Sequence, residues 1–463
     1  MTTRWRSLTM IGAVALLLNA CSGGGGASSA PSAAATSGSA ASAAAPSAAA
    51  SSSAAAPSAS ASSAASASAA AGAPVTINWW HITTGEPGKS DFQSIADAYT
   101  AAHPNVQIKI TVLENEAFKT KLSATTPDAY PDLFQSWGGG TMAAQADAGL
   151  LKDITADISS WKDTINPGAL GIYSYNGKQY GVPWDMGMIG FWYNKKAFTD
   201  AGITAAPATW DAYLDAVKKL KASGIAPLAI AGKDKWPSMH LWTYLVLRTA
   251  GGQAISEMIK SGKWTTDACT KAGQAVVALN ALDPYQPGYK SAVYNDEAAS
   301  VGNGKAAMEL MGQWAPSVQK DQSVGKKGLG DNLGWFPFPT IAGGAGAATD
   351  GVGGGNGIAV SKNAPPEALD FLKFFNSVQN GTKLNTDGVG LSTTVGTESA
   401  VSDPNLKAVL DARGKAQFMQ LYLDQATSPA MGTAINDATI ALFLGGSDPA
   451  KVCQAITDAA ATQ

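Results

Sequence analysis

The sequence predicts an α/β protein in which two lobes are joined by a hinge of crossing strands. Strand and helix patterns alternate from Val75 onward, which favours sheets that are covered by helices. The same alternation restarts at Thr209, after an aromatic segment at residues 181–198. Glycines interrupt that segment too often for a helix, so it is predicted to be a buried, extended crossing between the two halves.

The first half contains a strand, a helix and two further strands. Residues 75–80 are predicted to form a strand, and a capping box at residues 90–93 is predicted to begin a helix. One face of that helix carries Phe92, Ile95, Ala96 and Tyr99. A His-Pro pair at residues 103–104 ends it, and residues 106–112 alternate like a half-exposed strand. Residues 132–137 are predicted to form a third strand, which ends in three glycines.

The second half repeats this organisation. Thr209 is predicted to cap a helix, and residues 225–230 are predicted to form the strand that follows it. Helices dominate from residue 241 to about residue 282. Residues 304–314 are predicted to form a strand that is approached through a glycine turn.

Three later segments are predicted to lead the chain back between the halves. Residues 333–339 are extended, because each proline excludes helix at the residue before it, and they indicate a return crossing. Residues 350–360 are predicted to form a glycine turn that feeds a strand, and residues 388–394 a further crossing. The predicted N-terminal lobe comprises residues 74–186 and 337–390, and the predicted C-terminal lobe comprises residues 187–336 and 391–463.

Composition excludes several functional classes. Of 463 residues, 45% are hydrophobic and 14% are charged, so the chain can bury a sizeable core. The net charge of -3 provides no excess of Lys and Arg for nucleic acid or for binding a membrane by charge. The three histidines, His81, His103 and His240, show no metal-ligand spacing, and neither a G-x-S-x-G elbow nor a P-loop is present. No metal and no cofactor are expected.

The N-terminal region has the pattern of an export signal. Arg4 and Arg6 precede a short apolar core, and Cys21 follows where a lipobox cysteine is expected, so residues 1–21 are predicted to be a lipoprotein signal. An ordinary cleaved signal with a chance cysteine is the alternative. Residues 22–73 are almost entirely Ser, Ala, Gly and Pro, which predicts a disordered tether.

Two other cysteines, Cys269 and Cys453, remain in the sequence. An exported protein resides where thiols oxidise, so we predict a disulfide between them, with two buried thiols as the alternative.

Aromatic residues next to glycine or short polar residues suggest a sugar site, because a sugar ring has a flat C–H face and a rim of hydroxyls. Trp137 and Trp314 follow strand ends and are the better candidates for stacking platforms, whereas Trp80, Trp184 and Trp192 are expected in the core. Asp185 stands alone in the apolar crossing. Its carboxylate either caps a local turn or faces a polar ligand in a cleft.

Four segments together resemble the carbohydrate-binding lipoproteins of ABC importers, in family 1 of the extracellular solute-binding proteins. They are DLFQSWGGG (residues 132–140), GVPWDMGMIGFWYNK (residues 181–195), GKAAMELMGQWA (residues 304–315) and LGWFPFP…GGGNGIAVSKNAP (residues 333–365). They are most similar to the branch associated with xylobiose, raffinose and related oligosaccharides.

The resemblance implies a periplasmic-binding-protein-like type II fold with an oligosaccharide between the lobes. It implies a monomer that is anchored to the outer face of the cell membrane. This monomer would deliver its ligand to the transmembrane permease subunits, which work with a separate ATPase. The ligand-binding residues that it implies, or that loop position suggests, are His81, Thr84, Glu116, Trp137, Gly138, Asp185, Trp236, Trp314, Gly355 and Asn356. A core position for Trp236 is equally compatible with the sequence.

The leading interpretation is therefore a sugar receptor with no chemistry of its own. An exported carbohydrate-active hydrolase is the first alternative, but it would need two carboxylates that flank the scissile bond, and only Asp185 is expected at the cleft. A surface adhesin is the second alternative, and it would show no closure of the lobes.

Overall fold

A computed structural model describes residues 73–462. The predicted signal, Cys21 and nearly all of the predicted tether lie outside the described residues. The strands are β1 (Val75–His81), β2 (Val106–Val112), β3 (Leu133–Ser136), β4 (Ser174–Tyr175), β5 (Lys178–Gln179), β6 (Gly181–Pro183), β7 (Gly187–Met188), β8 (Gly190–Asn194), β9 (Ala226–Leu228), β10 (Ala306–Met311), β11 (Leu333–Phe336), β12 (Gly351–Gly354), β13 (Gly357–Val360) and β14 (Met419–Leu421).

The α-helices cover these strands. They are α1 (Gly88–Ala102), α2 (Asn115–Ala124), α3 (Gly139–Asp147), α4 (Pro167–Gly171), α5 (Lys195–Asp200), α6 (Trp210–Ala222), α7 (Trp236–Ala250), α8 (Gly252–Ser261), α9 (Asp267–Asn280), α10 (Tyr294–Gly302), α11 (Ala315–Gln322), α12 (Pro366–Phe375), α13 (Val378–Thr386), α14 (Pro404–Lys415), α15 (Leu423–Ala426), α16 (Pro429–Phe443) and α17 (Pro449–Ala460).

The first lobe is built on a five-stranded sheet in the order β2-β1-β3-β13-β6. β1 runs parallel to β2 and β3, and β13 lies antiparallel between β3 and β6. Trp79 packs beneath this sheet, with its ring centroid 5.3 Å from that of Phe92 on α1. The predicted strand–helix–strand unit is confirmed.

The start of α1 differs from the predicted capping box. The helix begins at Gly88, so Ser90 lies inside it. The Glu86 carboxylate accepts hydrogen bonds from Ser90 Oγ at 2.7 Å and from Ser90 N at 3.2 Å. A carboxylate before the helix therefore satisfies a donor of the first turn, which Ser90 was expected to do as the cap.

The second lobe is built on a four-stranded sheet in the order β11-β8-β10-β9. Thr209 caps α6 as predicted, because its side-chain oxygen accepts from Ala212 N. Phe191, Trp210 and Phe338 stack in the core of this lobe. Cys269 on α9 and Cys453 on α17 form a disulfide with a Cα–Cα distance of 6.1 Å.

The return crossing lies later than the sequence indicated. Residues 333–336 form β11, which is an edge strand of the second sheet rather than a passage between lobes. The chain passes between lobes at residues 351–360, because β12 pairs with β7 and β14 whereas β13 enters the first sheet. Phe338 and Val352 consequently belong to the core of the second lobe, although both fall in the predicted N-terminal segment.

The glycine-rich residues 350–360 also differ from the predicted turn. They form two buried strands that are separated only by Gly355 and Asn356.

Between Ser68 and Gln463 the described residues contain no helix that is long and apolar enough to cross a membrane.

Candidate functional site

A cleft between the two lobes is the candidate site. Its volume is about 1020 Å³ when measured out to its open mouth. It is lined by Ile82, Thr83, Thr84, Gly85, Gly88, Glu114, Asn115, Lys119, Trp137, Trp184, Trp236, His240, Tyr294, Asn295, Trp314, Ser317, Val318, Asn356, Val389, Tyr422, Asp424 and Gln425.

The wall on the first lobe is formed where the parallel strands end. The loop after β1 contributes Thr84, and Trp137 follows β3 directly. Such loops gather at one edge of a parallel sheet, which is why they meet at the cleft. Lys119 Nζ lies 5.5 Å from the Trp137 ring centroid and 2.9 Å from the Glu116 carboxylate.

The wall on the second lobe is a continuous set of rings, which we call the aromatic wall: Trp236, His240, Tyr294, Trp314 and Tyr422. The Trp236 centroid lies 5.1 Å from that of Tyr294 and 5.4 Å from that of His240. The Tyr422 centroid lies 5.3 Å from that of His240 and 6.0 Å from that of Trp314. Flat apolar faces therefore cover one side of the cleft.

Several polar atoms in and beside the aromatic wall are buried without a partner. Trp236 Nε1, His240 Nδ1, Tyr422 Oη and Gln425 Oε1 have no hydrogen-bond partner among the described residues. Burial, assisted by the charge of Lys119, lowers the pKa of His240 to about 3, so its ring is neutral. Burial raises the pKa of Tyr422 well above its usual value. The polar side chains of the aromatic wall are therefore uncharged.

Asp185 is 1% exposed and does not line the cleft. Its carboxylate accepts hydrogen bonds from Asn356 N at 2.5 Å, Asn356 Nδ2 at 3.1 Å and Gln313 Nε2 at 2.7 Å. Burial raises its pKa to about 6, and these hydrogen bonds oppose the rise. Of the two roles open to it from the sequence, the geometry matches the cap of a local turn.

The structure brings Thr84, Trp137, Trp236, Trp314 and Asn356 to the cleft and leaves the other predicted residues behind the lining. His81 is buried, and its Nδ1 accepts from Thr83 N at 3.2 Å, so it supports the loop that carries Thr84. Burial and the charge of Lys89 lower the pKa of His81 to about 3.

Three further predicted residues also have positions other than the lining. Glu116 points to Lys119. Gly138 precedes α3 with φ of 70°, a backbone conformation that favours glycine. Gly355 is buried at the turn beside Asp185.

Sequence reasoning missed most of the aromatic wall. His240, Tyr294 and Tyr422 were not proposed, and Trp184 was assigned to the core, where it does pack although it also lines the cleft. A usable signal existed for Tyr422, Asp424 and Gln425, because they directly follow β14 and so resemble Trp137 in position.

The comparisons with known proteins agree with this geometry. A family model described as bacterial extracellular solute-binding protein matches residues 83–382, which is more than half of the chain. The chain belongs to this family. Members of the family bind solutes and are not enzymes, and their location is extracytoplasmic.

Among its relatives, this solute-binding protein is similar to the multiple sugar-binding protein of Streptococcus mutans. The two are 27% identical over 305 residues, which cover 62% of this chain and 68% of the relative. The xylose/arabinose-binding protein XacG of Haloferax volcanii is 26% identical over 284 residues, with coverages of 57% and 58%. The chain thus spans 68% and 58% of the length of these two relatives.

A solved structure covers more of the chain. It comes from work on xylan utilization by the thermophilic bacterium Caldanaerobius polysaccharolyticus, with a TM-score of 0.76 and 27% identity. The match covers 83% of this chain and 99% of that chain. The predicted type II fold with two α/β lobes is confirmed.

Proposed function

We propose that this solute-binding protein is the receptor of an ABC sugar importer and that it binds a neutral di- or oligosaccharide in the cleft. The observation that carries the proposal is the aromatic wall, whose polar groups are uncharged. Apolar ring faces match the C–H face of a sugar, and uncharged polar side chains among the lining residues match its hydroxyls. Relatives named for multiple sugars and for xylose or arabinose support the same class of ligand.

The charges at the cleft favour a neutral ligand over an anionic one. Lys119 is the sole Lys or Arg among the described residues that line it, and it is already paired with Glu116. Glu114 and Asp424 add carboxylates to the lining. A phosphate or uronate would therefore meet little positive charge and some repulsion.

The ligand is proposed to be of the xylobiose or raffinose class. The link between the Caldanaerobius structure and xylan utilization supports a xylan-derived oligosaccharide. The aromatic wall offers several rings rather than one, which suits more than a single sugar unit. The filled receptor then delivers its sugar to a membrane permease that a separate ATPase drives.

Calorimetry against a panel tests the ligand class. The panel contains xylose, xylobiose, xylotriose, raffinose, glucuronic acid and sn-glycerol-3-phosphate. Binding of at least one neutral di- or trisaccharide, without binding of the two anions, is expected. Binding of only an anionic member would overturn the proposal, and sugar recovered intact would agree with a receptor.

Tryptophan variants test the aromatic wall. We expect Trp314→Ala and Trp236→Ala each to weaken binding by about 1–3 kcal/mol, the range found when an aromatic stack on a nucleic-acid base is removed. Trp335→Ala is the matched control, because Trp335 is a partly buried tryptophan of the second lobe that does not line the cleft. Equal losses for Trp314→Ala and Trp335→Ala would show that stability, not stacking, is being measured.

A further inference from the structure

Four side chains form a continuous polar chain across the hinge. Gln135 Nε2 donates to Asn356 Oδ1 at 2.8 Å, and Asn356 Nδ2 donates to Asp185 Oδ1 at 3.1 Å. Gln313 Nε2 donates to Asp185 Oδ2 at 2.7 Å. Gln135 lies on β3 of the first lobe, and Gln313 follows β10 of the second lobe. We call these four residues the hinge relay.

The chemistry of Asp185 fixes the orientation of the relay. An ionised carboxylate only accepts hydrogen bonds, so both amide groups must turn their nitrogen atoms toward it. Asn356 then presents its oxygen to Gln135 and keeps one N–H that is not used by Asp185. Gln135, Asp185 and Gln313 are each at most 3% exposed, so water is poorly placed to replace these bonds.

The backbone is shaped to admit the relay. A Cβ at Gly355 would lie 1.7 Å from the carbonyl oxygen of Asp185, and a Cβ at Gly187 would lie 2.0 Å from Gln313 Oε1. A side chain at Gly355 would collide with the Asp185 backbone, so that position requires glycine, whereas a side chain at Gly187 would push the Gln313 amide away. Both glycines thus leave room for the contacts of Asp185.

Each oxygen atom of the Asp185 carboxylate contacts a residue that lies at or next to the cleft lining. Asn356 lines the cleft itself, and Gln313 directly precedes Trp314 of the aromatic wall. Gln313 is also next to Gly312, whose carbonyl accepts from Trp192 Nε1 at 3.0 Å, so this backbone is held on two sides. One buried carboxylate thus orients a polar lining residue and anchors the segment that carries a tryptophan.

We propose that Asp185 is a positioning residue, which sets ligand affinity by holding Asn356 and the Trp314 segment in register across the hinge without touching the ligand. The effect on affinity rests on the proposed sugar-binding function. The hydrogen bonds of the relay do not rest on that function, because none of them involves a ligand.

A reciprocal swap tests the donor and acceptor logic. Asp185→Asn places an amide nitrogen opposite Gln313 Nε2, and Gln313→Glu places a second carboxylate opposite Asp185. The double variant Asp185→Asn/Gln313→Glu restores one donor facing one acceptor while Asn356 keeps its acceptor. In Asp185→Asn, Gln313 can turn its amide over and accept from the new nitrogen through its unpaired Oε1, so we expect only a modest loss of sugar affinity in that variant. We expect Gln313→Glu to weaken sugar binding at least tenfold and the double variant to return to within about threefold of the wild type.

Glu309→Gln is the matched control. Glu309 is a buried carboxylate that accepts from Gln319 Nε2 at 2.7 Å and does not line the cleft. It undergoes the same carboxylate-to-amide change as Asp185→Asn, but within the second lobe, so we expect the sugar affinity of Glu309→Gln to stay at the wild-type value. Gln313→Met keeps the length of the side chain and removes its donor, and it replaces Asp185→Asn if that variant does not fold.

Two measurements separate this proposal from the proposed function. Urea unfolding of the wild type, the two single variants and the double variant, all without ligand, gives the coupling free energy between positions 185 and 313. A coupling free energy of zero overturns the relay, whatever the ligand is. Calorimetry with the best sugar of the panel gives the affinities. Wild-type affinity in a folded Gln313→Glu or Gln313→Met variant, or a double variant no better than Gln313→Glu, overturns the positioning role. If the wild type binds no sugar, the proposed function fails while the unfolding cycle still decides on the relay.

Discussion

Two buried carboxylic acids lie behind the aromatic wall. Glu309 is on β10 and Glu297 is on α10, and both are at most 1% exposed. Burial raises the pKa of each, and repulsion from Glu309 raises that of Glu297 further. Glu309 accepts from Gln319 Nε2, but Oε2 of both acids has no partner among the described residues. The pair therefore favours the protonated form at a pH where free carboxylates are ionised.

This pair predicts a pH-dependent stability. Because the folded pKa lies above the unfolded one, the folded state keeps a proton that the unfolded chain has lost. The stabilisation is fully present below the unfolded pKa and is lost as the pH rises through the folded pKa, by up to about 1.4 kcal/mol per pH unit for each proton. Glu309→Gln, which mimics the protonated acid, should flatten this loss in melting curves between about pH 5 and pH 9.

The control for this prediction is Glu257→Gln on α8, since Glu257 is an exposed carboxylate. Its melting temperature should follow the wild-type pH profile. A Glu309→Gln profile that also parallels the wild type would contradict a proton-linked role for the pair.

At the scale of single residues, the sequence predicted those lining residues that follow strand ends. Trp137 and Trp314 are examples, because the end of a buried strand already indicates where the side chain stands. The position of His240 at the cleft could not be predicted from the sequence. It lies in α7, where every residue from Trp236 to Arg248 is buried, so no polar face reveals which side meets a cleft.

Among the elements, the disulfide between α9 and α17 gives a stability prediction. It closes a loop with a sequence separation of 184 residues. In the chain-entropy account, a closure of this length stabilises by about 2–5 kcal/mol. Cys269→Ala/Cys453→Ala should lower the free energy of unfolding by that amount while sugar affinity is retained, because neither cysteine lines the cleft.

Urea unfolding with and without reductant checks the disulfide. Reduced wild type should match the double variant, and thiol titration of the denatured, unreduced protein should find no reactive pair at these positions. Two titratable thiols would contradict the bond and favour the alternative of two buried cysteines.

Element types were predictable where period and caps agree. The alternation in β2 and the Thr209 cap of α6 both depend on local sequence alone. The partner of a strand does not depend on local sequence alone. The extended character of residues 333–339 is visible in the sequence, but the pairing of β11 with β8 is set by the tertiary fold. This is why β11 was predicted to be a crossing.

For the whole molecule, the position of the cleft predicts closure on ligand. Lining residues come from both lobes, so a bound sugar stabilises the state in which both walls touch it. We expect the radius of gyration from small-angle scattering to fall when the best sugar is added. Trp314→Ala at the same sugar concentration should show little compaction, and an unchanged radius for a saturated wild type would favour a rigid adhesin.

The anchor is also tested on the whole molecule. If Cys21 is lipidated, Cys21→Ser should move the protein from the membrane fraction to the soluble fraction. Ligand affinity should not change, because the cleft is formed entirely within the described residues. Membrane association that persists in Cys21→Ser would contradict the lipid anchor.

The place of β13 in the first sheet has a consequence for how the protein is made. β13 lies between β3 and β6, yet it is encoded after nearly the whole second sheet. A growing chain that has not reached Val360 leaves the facing edges of β3 and β6 without their partner. At bacterial elongation rates, the stretch from the end of β6 to Val360 takes roughly 9 to 35 s to make. Until then the first sheet is incomplete, and a chain whose first lobe has not folded can still pass through a narrow export channel.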